Sequence, residues 1–318
     1  MDLPIQIKKY IEDELNSIDK SNLYDNAKAI SMNYRTNEGK GKRLLKNKDE
    51  AIAYAISRMP ATYGAVYNSL KSSLEIYNPS IKTIADIGAG TGSATIAVNE
   101  LLDVDKIECF EREDSMQKVG KIIFEHYNNL SEKVNWNKLD ICSDEITDKY
   151  DLVVTSYMLN EISDEQKDEI IEKLWKISKK ILLIVEPGTM QGYRNIINAK
   201  KKLIDLGANI IAPCRNNECR LPKDDWCSFS CRVQRTKVHR ELKDGNVPYE
   251  DEKYMYIAVS KEEVSKDNRI RILRHPMIHS GFVKLKVCDE EEINEITISK
   301  KDKEKFKIAR KSKAGDLI

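Results

Sequence analysis

The sequence predicts an α/β protein built on a doubly wound, mostly parallel sheet. Between residues 81 and 210, short apolar runs alternate with amphipathic helical stretches, a pattern typical of right-handed βαβ units. A Gly-x-Gly-x-Gly turn joins the first apolar run to the first helix of this region. We therefore expect three regions: an N-terminal helical region (1–80), a sheet domain (81–210) and a β-rich C-terminal module (211–318).

Composition limits the partners of this chain. Of its 318 residues, 53 are basic and 52 acidic, so the formal net charge is only +1 and nucleic-acid binding must come from local patches. The N-terminal sequence lacks the features of a signal or transit peptide, and no apolar run approaches the ~20 residues that cross a bilayer. We expect a cytoplasmic protein with no membrane partner, whose thiols are reduced.

The N-terminal region is expected to be helical. Ile52, Ile56 and Met59 recur at helical spacing. Pro60 is expected to break this helix, because proline lacks the amide hydrogen that a helix interior needs. The N-terminal region is rich in lysine and tyrosine, and its segment 32–48 either faces RNA or forms a solvated helical surface, which is the more common case.

The sheet domain is expected to contain five strands separated by helices. The predicted strands are TIADIG, KIECFE, VNWNKLD, DLVVTSYML and ILLIVEPG, and the helices between them include DSMQKVGKIIFEHYNNL and DEQKDEIIEKLWKISKK. Beyond residue 210 the pattern changes to EKYMYIAVSK, FVKLKVC and INEITISK, with CDEEE as a hairpin loop, and a basic terminal segment. We interpret this last third as a small β-rich unit docked on the larger domain.

The glycine-rich turn predicts a ligand site. Asp86, Gly88, Gly90 and Gly92 lie between a strand and a helix, where glycine lets the backbone turn sharply and approach a ligand. The spacing is neither that of the dinucleotide fingerprint nor that of a P-loop. An acidic residue ahead of the glycines would repel a pyrophosphate but suits a cofactor with an ammonium group. The arrangement resembles the first motif of the Rossmann-like S-adenosylmethionine-dependent methyltransferases.

That resemblance implies roles for residues at the ends of the later strands. Glu111 is implied to accept hydrogen bonds from the ribose hydroxyls of S-adenosylmethionine, with Glu108 and Glu113 as weaker candidates. Asp140, after the third strand, is implied to hold the adenine amino group. Tyr157 lies at the end of the fourth strand, which is implied to face the sulfonium and the substrate.

The methyl acceptor is less evident from the sequence. The fourth strand is not followed by the Asn-Pro-Pro-Tyr or Asp-Pro-Pro-Tyr that cradles an exocyclic base nitrogen, nor by a proline-cysteine nucleophile for cytosine. In that place stands SYMLNEI, in which Tyr157, Asn160 and Glu161 either line a substrate pocket or cap the following helix. Cofactor binding therefore does not establish methyl transfer.

Cysteines form a second group of chemically active residues. Four of the seven, Cys214, Cys219, Cys227 and Cys231, lie in one segment with polar neighbours, which disfavours a packing role. Four thiolates hold either Zn²⁺ or an iron–sulfur cluster, and the spacing does not choose between them. Local spacing alone nominates Cys231 as the fourth ligand.

A wider set of motifs carries a more specific resemblance. The motifs are AYAISRMPATY, SYMLNEI, VEPGTMQGY, APCRNNEC, DWCSFSCRV, VPYEDEKYMY and ARKSKAGDL. Together they resemble the mitochondrial small-ribosomal-subunit assembly methyltransferase-like family (Rsm twenty-two, or methyltransferase-like seventeen) from about residue 50 onward. The resemblance implies an S-adenosylmethionine-dependent methyltransferase-like protein that acts on or binds small-subunit ribosomal RNA. The alternative is a non-catalytic assembly factor that uses its cofactors structurally or as sensors.

The same resemblance implies a [4Fe-4S] cluster on four cysteines, with zinc as the alternative metal. Cys214, Cys219 and Cys227 match three ligands, and the fourth is implied to be the distant Cys288 instead of Cys231. A ligand from that hairpin would link the C-terminal part of the chain to the main domain and contribute folding energy. A radical S-adenosylmethionine enzyme is disfavoured, because the usual C-x3-C-x2-C triad is absent.

Three local groups of basic residues are expected to contact small-subunit ribosomal RNA, so the small ribosomal subunit is the expected partner. Clustered cations on a neutral chain suit the phosphate backbone and carry little base specificity. The sets are Arg232, Arg235, Lys237, His239 and Arg240; Arg269, Arg271, Arg274 and His275; and Arg310 with the terminal lysines.

Overall fold

A computed structural model of the chain contains, in its described parts, a large mixed sheet and a smaller antiparallel one. None of the described helices is both long and apolar enough to span a bilayer. The lysine- and tyrosine-rich segment falls outside the described residues up to residue 47. The residues described are 2–15, 48–127, 130–214, 216–222, 224–235, 239–240, 247–265, 268–289 and 292–318.

The large sheet confirms the predicted doubly wound arrangement. Its first five strands are β1 (Thr83–Ile87), β2 (Lys106–Glu111), β3 (Val134–Lys138), β4 (Tyr150–Ser156) and β5 (Ser178–Pro187). They are parallel, in the order β3-β2-β1-β4-β5, so the direction of winding reverses between β1 and β4. Such a reversal opens a crevice at the carboxyl ends of the strands, where doubly wound sheets bind their ligands.

Strands from the C-terminal third complete this same sheet. They are β6 (Asn209–Ala212), β7 (Phe229–Gln234) and β8 (Tyr249–Ser260). β8 is antiparallel to β5 and β6, and its first half pairs with β7. The second half of β8 is a continuous buried run, because it is an interior strand covered on both faces. The sheets therefore do not divide at residue 210, where the sequence analysis placed a boundary.

Helices cover both faces of the large sheet. One face carries α2, α3 and α4, which pack together, and the other carries α6 and α7. A 3₁₀ turn (Leu159–Glu161) follows β4. The helices are α1 (Ile5–Leu15), α2 (Lys48–Leu74), α3 (Ser93–Leu101), α4 (Asp114–Glu125), α5 (Leu130–Lys133), α6 (Lys167–Ile177) and α7 (Met190–Asp205).

The predicted break at Pro60 is wrong, since α2 continues through it. Pro60 is buried together with its neighbours Met59 and Ala61, and α2 packs against α3, α4, β5, β7 and β8. Each buried apolar side chain contributes about 1.5–3 kcal/mol. Several such contributions outweigh the ~3 kcal/mol that a proline costs inside a helix.

The smaller sheet contains the predicted C-terminal hairpin. Its elements are β9 (Arg271–Ile272), β10 (Met277–Ile278), β11 (Phe282–Cys288), β12 (Ile293–Ser299) and the following helix α8 (Lys303–Lys311). β11 and β12 pair antiparallel, with Cys288 opposite Ile293. Alternate residues of β11 are buried with Phe306 and Ala309 of α8 in a separate small core. The helix is thereby fixed to the strand that ends at Cys288.

Two glycines in left-handed conformations provide a test of the packing around the glycine-rich turn. A Cβ at Gly92 (φ +89°) would lie 2.1 Å from the Phe124 ring, whereas a Cβ at Gly207 (φ +82°) meets nothing within 4 Å. Gly207→Ala should lower the free energy of unfolding by about 1–2 kcal/mol through backbone strain alone. Gly92→Ala should lower it by about 3 kcal/mol or more, because overpacking adds to that strain. Urea titration followed by circular dichroism measures both, and equal losses would contradict the packing described.

Candidate functional site

A cavity of about 110 Å³ opens at the carboxyl ends of β1, β2 and β4. It lies at the point where the winding of the sheet reverses. Five of the seven residues predicted to bind the cofactor line it: Gly88, Gly90, Glu111, Asp140 and Tyr157. Residues that are distant in sequence therefore meet in one place, as the pattern of strands and turns predicts.

The Glu111 carboxylate joins β2 to the glycine-rich turn. Its Oε2 accepts a hydrogen bond from the Gly90 amide at 2.8 Å, and its Oε1 accepts one from the Glu113 amide at 2.8 Å. Burial raises the pKa of Glu111, while the two amides act in the opposite direction. Gly88 and Ala89 also donate their amides to the Phe110 carbonyl. These hydrogen bonds fix the turn so that Gly88 and Gly90, which have no side chain, line the cavity.

Asp140 stabilises the turn that closes another side of the cavity. Its Oδ1 accepts a hydrogen bond from the Cys142 amide at 3.0 Å, and its own amide donates to Asp144 at 2.9 Å. The neighbouring Leu139 and Ile141 add apolar surface to the lining. This wall therefore combines a carboxylate with apolar side chains, which suits a planar heterocycle with an exocyclic amine.

Asp86 and Gly92, although predicted to bind the cofactor, do not line the cavity. Asp86 is fully buried, and its Oδ2 accepts hydrogen bonds from the Thr95 amide at 3.0 Å and hydroxyl at 2.7 Å. Burial raises the pKa of Asp86 to about 7. Gly92 lies against Phe124. Both residues support the first turns of α3 behind the cavity.

Tyr157 is held in an unusual backbone conformation at the end of β4. Its φ of +61° is left-handed, which costs energy in a residue other than glycine and is often found at functional sites. Its hydroxyl donates to Glu252 at 2.8 Å, and Arg58 lies 3.4 Å from the same carboxylate oxygen. Burial and Glu252 raise the pKa of Tyr157, so the phenol remains a hydrogen-bond donor. Neither Arg58 nor Glu252 was predicted, because their helix and strand are remote in sequence.

A buried glutamate supports the turn that follows Tyr157. Glu186 accepts hydrogen bonds from the Leu159 amide at 3.1 Å and from the Asn195 side chain at 2.9 Å. Burial raises the pKa of Glu186 to about 8. Of the two other residues proposed for the substrate pocket, Glu161 lines the cavity and Asn160 does not. Glu186 was not among the predicted site residues, although a carboxylate at the end of an apolar strand is a usable signal.

A second, smaller cavity of about 30 Å³ is lined by four cysteines. Cys214, Cys219 and Cys227 lie in the loops between β6 and β7, and Cys288 ends β11 in the smaller sheet. Cys231, the choice from local spacing, is buried on β7 and does not line the cavity. The structure therefore brings together the four cysteines that the family resemblance selects.

The four cysteines line the cavity, but their side chains do not form a metal-binding group as they stand. Among the residues that the structure describes, no three histidine, cysteine, aspartate or glutamate side chains are placed to hold a metal ion. The Tyr193 hydroxyl lies 3.1 Å from the Cys219 sulfur, and the Asn216 amide lies 3.7 Å from the Cys288 sulfur. Asn216 also donates to the Asp289 carbonyl at 3.2 Å, which joins the cysteine loop to the hairpin.

Two buried cations lie beside this cavity. Lys200 of α7 and Arg271 of β9 are only 3% and 2% exposed. Burial raises the pKa of Cys214, and the charges of Lys200 and Arg271 act in the opposite direction. Among the residues that the structure describes, the Arg271 Nη2 has no hydrogen-bond partner, and the Lys200 ammonium has none other than the Cys214 thiol. A lysine on the buried side of α7, four residues after Ile196 and three before Leu203, was a signal that sequence analysis missed.

Two of the three predicted basic sets are largely engaged within the protein. Arg271 is buried and donates to the carbonyls of Pro213 and Gly315. His239 is fully buried, and Lys237 lies outside the described residues. The arginines in ion pairs are Arg232 with Asp251, Arg235 with Glu250 and Arg274 with Asp225. Much of the charge of these two sets is therefore compensated within the protein, although Arg269 and His275 are exposed, whereas the terminal set on and around α8 is mostly exposed.

The fold and the two cavities define a Rossmann-like α/β protein with a ligand crevice at the reversal point and a cysteine-lined cavity nearby. The model of a protein family described as mitochondrial small ribosomal subunit Rsm22 matches residues 48–318. The chain belongs to the Rsm22 family.

Individual relatives are distant. The mitochondrial Rsm22-cox11 tandem proteins 1 and 2 of Schizosaccharomyces pombe are 24% identical over 335 residues, covering 85% of this chain and 43% of theirs. The human mitochondrial ribosome assembly protein METTL17 is 22% identical, covering 84% of this chain and 62% of its own. The chain thus spans less than two thirds of these relatives. A structure of magnesium protoporphyrin IX methyltransferase from Synechocystis gives a TM-score of 0.44 at 13% identity, covering 77% of this chain and 100% of that one.

The raised pKa of Asp86 predicts a pH dependence of stability. The folded protein holds this proton more tightly than the unfolded chain does, so stability from this group is lost as the pH rises from about 4 to about 7. The loss is on the order of 4 kcal/mol. Asp86→Asn keeps an acceptor for Thr95 without the charge, so it should be increasingly more stable than the wild type as the pH rises from 5 to 8.

Asp151 provides a control of opposite sign. Its pKa is lowered, despite burial, by the amides of Lys82 and Thr83 and by Lys180. Its contribution is therefore present at neutral pH and lost as the pH falls through its folded pKa. Asp151→Asn should be less stable than the wild type at pH 7. Urea titrations between pH 5 and 8 measure both variants, and an unchanged pH slope for Asp86→Asn would show that Asp86 is not protonated as described.

Proposed function

We propose that this chain is an S-adenosylmethionine-binding, methyltransferase-like protein of small-ribosomal-subunit assembly, with a [4Fe-4S] cluster on four cysteines. The proposal depends mainly on one observation. The residues predicted to bind the cofactor and the residues predicted to hold the cluster are each scattered along the chain, yet most of the first set line one cavity and all four of the second line another. The family match and the name of the human relative, a ribosome assembly protein, support the setting in which these cavities act.

The crevice residues fit S-adenosylmethionine. The bare backbone at Gly88 and Gly90 leaves room for a ligand against the turn. Glu111, anchored by two amides, keeps a carboxylate beside the cavity that can accept from ribose hydroxyls. Asp140 can accept from the adenine amino group beside the apolar Ile141. When bound, the cofactor supplies an electrophilic methyl group on its sulfonium.

The residues around Tyr157 favour positioning over acid–base chemistry. Tyr157 donates to Glu252, and its raised pKa leaves the phenol protonated at neutral pH. Glu186 and Arg58 hold the turn and the ring in place. If methyl transfer occurs, orientation and exclusion of water would supply most of its acceleration. The same rigid arrangement favours the alternative, in which the bound cofactor stabilises a non-catalytic assembly factor.

The cysteine cavity suits a [4Fe-4S] cluster, with zinc as the alternative, because four thiolates hold either centre. The Lys200 ammonium is buried beside the Cys214 thiol and forms no ion pair among the described residues, which favours an anionic occupant. Thiolates around an iron–sulfur core form such an anion.

We assign ribosomal RNA binding to the basic surface around α8. Phe306 and Ala309 face the core of the smaller sheet, so the charged residues of this helix face outward. Exposed cations of this kind neutralise phosphates and carry little base specificity. Because α8 packs on β11, a cluster ligated by Cys288 would fix this surface relative to the large sheet. The cations are Lys300, Lys301, Lys303, Lys305, Lys307, Arg310, Lys311 and Lys313.

Cofactor binding is tested at Glu111. In Glu111→Gln the amide cannot accept from both backbone amides and the ribose, so affinity for S-adenosylmethionine should fall by about tenfold or more. Glu108→Gln is the control, because Glu108 lies on the same strand, bonds Asn135 and Asn137, and does not line the cavity. Isothermal titration calorimetry measures both. If the two variants bound S-adenosylmethionine with equal affinity, Glu111 would not be a cofactor-binding residue.

Methyl transfer is tested in the same preparations. The protein is incubated with cofactor labelled in its methyl group and with immature small ribosomal subunits. Label in ribosomal RNA with the wild type, and not with Glu111→Gln, would identify a methyltransferase. Binding to the subunits without label would support the assembly-factor alternative. A wild-type chain that does not bind the cofactor would contradict both.

The cluster ligands are tested by comparing two buried cysteines. Cys288→Ser should lose most of its iron and acid-labile sulfide during anaerobic purification, because serine is a poor ligand for this soft centre. It should also melt at a lower temperature, since the link between the two sheets is lost. Cys231→Ser should retain both properties. Zinc without iron in the wild type would select the alternative metal, and unchanged iron in Cys288→Ser would exclude Cys288.

A further inference from the structure

The two cations beside the cysteine cavity have no counter-charge in the described structure that explains their burial. Lys200 is 3% exposed, and among the described residues its ammonium has no partner other than the neutral Cys214 thiol beside it. Arg271 is 2% exposed, donates to two backbone carbonyls through Nε and Nη1, and leaves Nη2 without a partner. An isolated buried charge is costly, so proteins normally pair it or bind an ion against it.

Other charges around the cavity increase this positive excess. Arg274 and Lys286 both pair with Asp225, which leaves one positive charge in that group. Four neutral thiols would not offset these cations. Four thiolates on a [4Fe-4S]²⁺ core carry a net charge of −2, and such an anion would.

We propose that Lys200 and Arg271 are the counter-charges of the cluster anion, and that Lys200 sets the ease with which the cluster is reduced. This inference rests on the proposed cluster and extends it to residues that are not ligands. Loading releases four protons from the cysteines. One electron from a low-potential donor, such as dithionite in the test below, then changes the core from 2+ to 1+ and the anion from −2 to −3. A fixed ammonium nearby stabilises the second state more than the first.

The size of the effect follows from Coulomb's law. A unit charge several ångströms away, at the effective dielectric constant of a protein interior, changes such an equilibrium on the order of tenfold. The ratio of reduced to oxidised cluster at a fixed potential is therefore the quantity to measure. A tenfold change in this ratio corresponds to about 59 mV for a one-electron couple.

The experiment compares the full-length wild type with three variants, all purified anaerobically. Lys200→Met removes the buried charge, Lys200→Arg keeps it, and Lys201→Met removes a charge from the exposed neighbour on the same helix. Dithionite titration followed by electron paramagnetic resonance gives the ratio of reduced to oxidised cluster. This ratio should fall about tenfold in Lys200→Met and stay near the wild-type value in the other two. An unchanged ratio in Lys200→Met would overturn the inference.

The melting temperature of the apoprotein shows whether Lys200 acts as a counter-charge of the cluster or only as a packing residue. Without the cluster, Lys200→Met removes a buried charge that has no partner, so the apoprotein should melt at the same or a higher temperature than the wild type. If Lys200→Met cannot retain a cluster but its apoprotein shows this melting behaviour, the counter-charge role is supported. A destabilised apoprotein would assign Lys200 to packing and overturn the inference. Absence of iron from the wild type would instead refute the proposed cluster, and the inference with it.

Discussion

Strand β8 is the element on which both cavities depend. It lies between β5 and β6 in the large sheet, and its first half extends beyond them to pair with β7. Through this position the chain beyond residue 210 becomes part of the same core as the parallel strands. Glu252 of β8 reaches the Tyr157 hydroxyl, and the Lys253 carbonyl accepts the Gly188 amide after β5. A separate C-terminal domain could not supply these contacts with the same rigidity.

The region between the two cavities is the end of β5 and the start of α7. Tyr193 of α7 contacts Cys219, and Asn195, two residues later, donates to Glu186. Glu186 in turn accepts from Leu159, in the turn that follows Tyr157. The 16-residue helix α7 thus contacts a cysteine of one cavity and supports the turn beside the other, so an occupant of the cysteine cavity that fixes Tyr193 would also act on the support of the crevice. Such a shared support gives a physical reason for one chain to carry both sites.

Much of the fold could be predicted, because local patterns and the handedness of βαβ units determine it. The predicted run KIECFE coincides with β2, the run VNWNKLD contains β3, and five residues predicted to bind the cofactor meet at the reversal point. The errors have a common origin in contacts that are distant in sequence. Burial of the surrounding helix overrides the local effect of Pro60, and Arg271 is drawn into the interior by the carbonyls of Pro213 and Gly315. A charge pattern alone does not reveal either outcome.

The fourth cysteine of the cavity is distant in sequence from the other three, and spacing alone does not select it. Cys231 is only four residues from Cys227, but a strand advances about 3.3 Å per residue, so β7 carries Cys231 away from the cavity. Its pKa is raised to about 12 by burial and by the acidic residues of β8. Cys288 is sixty-one residues beyond Cys227, and the return of the chain through β11 places it at the cavity. Pairing of Cys288 with Arg271 in the β9–β11 register brings the thiol and the buried guanidinium to the same wall, so the proposed cluster ligand and its proposed counter-charge lie on paired strands.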